Sequence, residues 1–144
     1  MKIVWIVLLS CIVNVAVASD LKPFTSDGCS VFPDGTLKEK DLWLSCCIEH
    51  DRAYWLGGTH KEKKRADVRL EKYVVGIGEP FIATLMKAGV RIGGSPYFPT
   101  PLRWGYGWAY SRGYAPLTEL ELKTVERVLS ESESEMPHLE NIKE

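Results

Sequence analysis

The chain has 144 residues, of which 45% are hydrophobic and 26% charged, with a formal net charge of −1. That length predicts one domain with a short appendage, and that mixture excludes wholesale disorder. With no global basic field, no nucleic-acid partner is expected. Charge is nevertheless uneven: residues 116–144 hold eight acids and three bases, whereas 19–115 hold 14 bases and 11 acids.

Residues 1–18 read as a secretory signal peptide. Met1 and Lys2 open it, the run to Val17 is almost wholly apolar, and Ala16-Val17-Ala18 is a small-x-small cleavage pattern. A retained membrane anchor is the alternative, but the run is short of the ~20 residues of a spanning helix and Asn14 interrupts it. Leu8-Leu9-Ser10-Cys11 offers a lipidation box, disfavoured because the mature chain would then begin with an exposed apolar stretch. All three readings take the protein out of the cytosol, so a secreted or periplasmic location is expected, where disulfides persist. Three cysteines remain after cleavage: Cys29, Cys46 and Cys47. One disulfide is expected, and the third thiol is free, paired between chains or buried as a small apolar group.

Residues 20–36 are rich in turn formers and predict an irregular loop. Residues 37–56 contain no Gly or Pro and end at Gly57-Gly58, which predicts a helix. Thr59 with Glu62 forms a capping box for a second helix running to about Val75. Pro80 suits the first turn of a third, running to about Arg91, with Ile82, Leu85, Met86 and Val90 as its core face. Residues 93–116, dense in Gly, Pro, Tyr and Trp, predict an ordered aromatic loop. Its Trp104, Tyr106, Trp108, Tyr110 and Tyr114 either pack in the core or form a collar at a lipid headgroup zone, with Arg103 and Arg112 meeting phosphates. Thr118 with Glu121 caps a helix over 118–129 that buries Leu122, Val125, Val128 and Leu129. Residues 130–144 predict a flexible acidic tail.

The chemistry lies in the first helix. Trp43, Cys47, His50, Asp51 and Tyr54 fall at steps of three, four and seven, so they share a face. A bland amphipathic helix would place aliphatic residues there. The second helix shows a basic surface of Lys63, Lys64, Arg65, Arg69 and Lys72, and an inward stripe of Ala66, Leu70, Tyr73 and Val74. Asp67 sits beside that stripe and needs a partner. Two antiparallel helices would bring it to His50, where a carboxylate fixes the imidazole tautomer; pairing with a neighbouring Lys or Arg is the alternative. If Cys29 bonds Cys47, the loop carrying Asp27 and Gly28 is pinned within a turn of His50. Asp27, Asp51 and the Gly28 carbonyl then form a hard oxygen site suited to Ca²⁺. Asp27 and Asp34-Gly35 also have simpler readings as turn residues.

Cys46-Cys47-Ile48-Glu49-His50-Asp51-Arg52-Ala53-Tyr54 resembles the active-site helix of secreted phospholipase A2. Asp27-Gly28-Cys29-Ser30-Val31-Phe32-Pro33-Asp34 is similar to the calcium loop of its compact bacterial and fungal members, and Asp67 matches their second aspartate. The resemblance covers roughly residues 25–75; the Gly-rich calcium loop of the animal enzymes is absent, and Ala53 stands where they commonly have a cysteine.

It implies a mainly α fold, with two antiparallel helices carrying the active site, a calcium loop stapled by Cys29–Cys47, and additional C-terminal helices within residues 19–129. It implies Ca²⁺-dependent hydrolysis of the sn-2 ester of glycerophospholipids at a phospholipid membrane surface. His50 would be the base, Asp67 would orient it and Tyr54 would support that network. Asp51, Asp27 and the Gly28 carbonyl would bind Ca²⁺. Cys46 departs from the family pattern in having no partner elsewhere in the mature chain; lying ~100° round the helix from Cys47, it is expected to be the unpaired thiol. A non-catalytic calcium- or lipid-binding module, or a structural envelope protein, is the alternative.

Overall fold

A computed structural model describes residues 20–134; the proposed signal peptide and most of the acidic tail lie outside them. The described residues are mainly helical: α1 (Leu44–Leu56), α2 (His60–Gly76), α3 (Pro80–Gly93) and α4 (Glu119–Ser134). They contain no strand, only an isolated antiparallel bridge between Leu21 and Trp108. None of these helices is long and apolar enough to cross a membrane.

α1 starts seven residues later than the absence of Gly and Pro suggested. Residues 38–43 fold as turns instead. The Thr36 side chain accepts from the Glu39 amide at 3.0 Å, and the Trp43 amide donates to the Asp34 carbonyl at 2.9 Å. The Trp43 indole N–H donates to the Pro33 carbonyl. These bonds tie the segment back to the preceding loop, which overrides its local helix propensity. At its other end, α1 stops at Gly57, whose φ is +72°. A Cβ there would lie 2.9 Å from the Gly105 Cα, so both the dihedral and the close approach require glycine.

Three residues separate α1 from α2, and the two pack as an antiparallel pair. Cys46 and Cys47 meet Leu70 and Val74 near one end, and Tyr54 meets Ala66 near the other. α2 carries the expected capping box, with Thr59 and Glu62 each satisfying the other's backbone N–H. Tyr73 is exposed rather than part of the inward stripe, whereas Lys63, expected on the basic surface, is only 4% exposed.

α3 packs on α2 through Ala83 and Met86, with Ile82 and Val90 partly buried; Leu85 is exposed, contrary to expectation. The Thr118–Glu121 capping box is present at the start of α4. That helix runs to Ser134, five residues beyond its expected end. It buries Val128 and Thr124, while Leu122 points to solvent.

The aromatic segment between α3 and α4 forms much of the core. Trp104 and Trp108 are buried, and their indole N–H groups donate to the Gly58 and Leu56 carbonyls at 2.8 Å each. They thereby satisfy backbone acceptors at the C-terminal end of α1. Those two rings therefore do not belong to an exposed collar, although Tyr110 is exposed. Arg103 and Arg112 are likewise committed internally. Arg103 donates to the Gly105 and Trp108 carbonyls, and Arg112 pairs with Glu121 and reaches the Ala115 and Pro116 carbonyls.

Candidate active site

The antiparallel pairing of α1 and α2 sets the central contact. His50 Nε2 lies 3.2 Å from Asp67 Oδ1, and the Tyr54 hydroxyl donates to the same oxygen at 2.7 Å. All three side chains are buried: His50 is 7% exposed, Tyr54 4% and Asp67 1%. With Asp67 ionised, Nε2 carries the proton and donates, which leaves Nδ1 as the ring's acceptor. Nδ1 takes no hydrogen bond among the described residues.

Asp67 has a further partner. Lys63 Nζ donates to Asp67 Oδ2 at 3.1 Å and to the Val90 carbonyl at 3.2 Å. Burial alone would push the Asp67 carboxyl up. Hydrogen bonds from His50 and Tyr54 and the Lys63 ammonium outweigh it and hold the group below the usual carboxylate range. Both partners anticipated for Asp67, the imidazole and a neighbouring lysine, are thus present together. Tyr54 is pushed far up, first by its burial and then by the Asp67 carboxylate, so it stays a donor.

His50 lines an open cleft of about 430 Å³ whose walls include Phe32, Leu70, Leu85, Met86, Val90 and Leu102. The walls are apolar because α2, α3 and the aromatic segment turn aliphatic faces toward it. Asp27, Gly28 and Asp51 lie along the same cleft. Cys29 and Cys47 form a disulfide that ties this loop to α1, and Cys46 is a free, buried thiol. Burial raises the Cys46 thiol and keeps it protonated.

Local bonds shape the loop further. The Ser26 hydroxyl donates to Asp51 Oδ2 at 2.6 Å, and the Ser30 hydroxyl to Asp27 Oδ1 at 2.8 Å. The Gly28 amide donates to Ser26 Oγ at 3.1 Å, and the Cys29 amide to Asp34 Oδ1 at 2.7 Å. Gly28 has φ +74°, and a Cβ there would sit 2.5 Å from Asp34 Oδ1. Glycine is therefore needed for this turn, and Asp34 acts as its brace.

Burial raises the Asp51 carboxyl. The Ser26 hydrogen bond and His50 oppose that rise, and the Asp27 carboxylate adds to it. Asp27 and Asp51 line the same cleft, beside a Gly28 carbonyl that takes no hydrogen bond among the described residues, and such oxygen donors are the kind a hard dication takes. No group of three or more His, Cys, Asp or Glu side chains converges among the described residues, so a cation here would draw on backbone oxygen and water as well.

Ser26 carries no signal in the sequence, and Lys63 and Tyr106, which read as a basic-surface and an aromatic-loop residue, are members of this site. The Tyr106 hydroxyl donates to the Thr25 carbonyl at 2.7 Å, pinning the loop from the opposite side. The four-residue spacing of Lys63 and Asp67 was a visible signal for that pair. Nothing local in the sequence links Ser26 or Tyr106 to Asp51.

The fold and site together define a mainly α protein with a buried imidazole–carboxylate pair at the wall of an apolar cleft. No known protein family, curated protein or solved structure matches the chain.

Proposed function

We infer that the protein is a secreted hydrolase of the phospholipase A2 type, cleaving the sn-2 ester of glycerophospholipids with Ca²⁺ as cofactor. One observation carries this reading. A histidine whose Nε2 is engaged by a buried carboxylate faces an apolar cleft that also holds two neighbouring carboxylates. A base, an apolar cavity and a hard-cation donor set are the parts that ester hydrolysis of an amphiphile requires.

In this mechanism His50 Nδ1 takes a proton from water as the water attacks the ester carbonyl. Asp67 holds the ring with Nε2 as donor and balances the imidazolium that forms. Tyr54 keeps Asp67 Oδ1 in place. The imidazolium then returns its proton to the leaving alcohol. The apolar walls take the acyl chains and exclude water around the ester. Asp51, Asp27 and the Gly28 carbonyl would hold Ca²⁺, which when bound supplies positive charge for the developing oxyanion and the lipid phosphate.

The test is fatty-acid release from mixed phospholipid vesicles, with Ca²⁺ and with chelator. The wild type is expected to release fatty acid only with Ca²⁺, and folded His50→Gln is expected to release none. Wild-type turnover by His50→Gln would remove His50 from the mechanism. Turnover that survives chelation would remove the ion.

A further inference from the structure

Lys63 is an unusual place for a buried cation. It is the fourth residue of α2, where the positive end of the helix dipole disfavours an ammonium. Lysine four residues before an aspartate is also the weaker order for such a pair. It is 4% exposed, so water does not solvate its charge. What compensates is a complete set of acceptors: Asp67 Oδ2, the Val90 carbonyl and the face of the Tyr54 ring, 5.2 Å from Nζ.

These contacts divide the Asp67 carboxylate between two tasks. Oδ1 receives His50 and Tyr54, while Oδ2 receives Lys63. The carboxylate thus cannot rotate about its Cβ–Cγ bond without breaking a charged hydrogen bond. The Val90 carbonyl also accepts from the Gly94 amide at 3.0 Å and lies 3.1 Å from the Tyr54 hydroxyl, whose single proton goes to the nearer Asp67 Oδ1. Val90 belongs to the cleft wall, so Lys63 links the carboxylate to that wall. The groups that face Asp67 are His50 and Tyr54 from α1 and Lys63 from its own helix. α3 brings the Val90 carbonyl next to Lys63 and Tyr54, and Arg91 acts on Tyr54; Tyr114 of the aromatic segment acts on Tyr54 and itself feels the Asp67 carboxylate.

We propose that Lys63 is a positioning residue for ester hydrolysis: clamped between Asp67 Oδ2 and the Val90 carbonyl, its ammonium holds the Asp67 carboxylate with Oδ1 turned to His50. It touches neither substrate nor water and acts only through Asp67. The proposal rests on the hydrolase reading above.

The experiment is a double-mutant cycle on the full chain: wild type, Lys63→Met, Asp67→Asn and the double variant, each assayed for kcat and KM on phospholipid vesicles with Ca²⁺. Lys63→Met is expected to lower kcat by ~10-fold or more with KM within about twofold, as for other residues that act by orienting a catalytic group. In the Asp67→Asn background the same change is expected to cost less than about twofold, because no carboxylate is left to hold. Equal fold losses in the two backgrounds, or an unchanged kcat in Lys63→Met, would overturn the proposal. If Lys63→Met does not fold, Lys63→Gln, which keeps a donor but no charge, takes its place in the cycle. If neither folds, Lys63 is a structural ion-pair residue and the positioning role is withdrawn. Absence of hydrolysis by the folded wild type is a different result: it removes the hydrolase reading, and the catalytic role of Lys63 with it.

Discussion

Cys29→Ser tests how the cleft is assembled. The Cys29–Cys47 bond joins positions 18 apart, and chain-entropy reasoning for a loop of that size gives about 3 kcal/mol of stabilisation. The native loop has other anchors on the Asp34 side: the Cys29 amide on Asp34 and the Trp43 amide on the Asp34 carbonyl. These should keep residues 29–34 near α1 in the variant, so the main loss is the constraint on the unfolded chain. For a domain of this size the melting midpoint should fall by about 10 °C.

The side of the loop that carries Asp27 and Gly28 is less secured. It depends on Ser26 at Asp51, Tyr106 at Thr25 and the disulfide itself. Calcium affinity should therefore fall along with stability. Urea unfolding and calcium calorimetry on wild type, Cys29→Ser and Cys46→Ser separate the two effects. Cys46 is 2% exposed in the apolar core, so its replacement by a buried hydroxyl should cost about 1 kcal/mol without altering calcium affinity. A Cys29→Ser protein less than about 1 kcal/mol weaker than wild type would refute the loop-closure reasoning. Unchanged calcium affinity would show that the disulfide does not position the proposed ligands.

Asp51→Asn should weaken calcium binding and fatty-acid release together, and Asp27→Asn should do so less; calorimetry with unchanged affinity in both would place the ion elsewhere. Gly94→Ala would set a Cβ 2.5 Å from the Tyr54 hydroxyl and from the Val90 carbonyl oxygen. It should cost about 1–3 kcal/mol by overpacking and lower kcat, read by urea unfolding and the vesicle assay; a neutral substitution would show that this corner is loose. The folded Asp67 carboxyl lies below its ordinary 3.8, so its ionised form stabilises the fold above that pH, and this contribution is lost as pH falls through the folded value. Asp67→Asn should flatten the acid side of the stability profile, and an unchanged acid slope in urea unfolding would contradict this coupling.

Much of the local architecture was legible in the sequence. The two capping boxes mark the starts of α2 and α4, and Pro80 that of α3, because a helix N-terminus is decided by a few adjacent residues. The spacing of His50, Asp51 and Tyr54 placed three polar groups on one face for the same reason. The start of α1 was not legible. The turns before it are held by Trp43 reaching back to Pro33 and Asp34, bonds between residues about ten positions apart.

By itself, the sequence determined the helices, the polar face of α1 and the need of Asp67 for a partner, all properties of short-range periodicity and of the cost of burying charge. Tertiary structure decided which partners Asp67 has. Lys63 sits in a run that reads as a solvated basic face, and it is buried only because α3 brings the Val90 carbonyl against α2. Similarly, Trp104 and Trp108 could read as a lipid collar or as core. They are core because the C-terminal end of α1 leaves carbonyls at Leu56 and Gly58 that their indoles satisfy. Burial of a side chain depends on surfaces brought together from distant parts of the chain, and the local pattern does not encode that meeting.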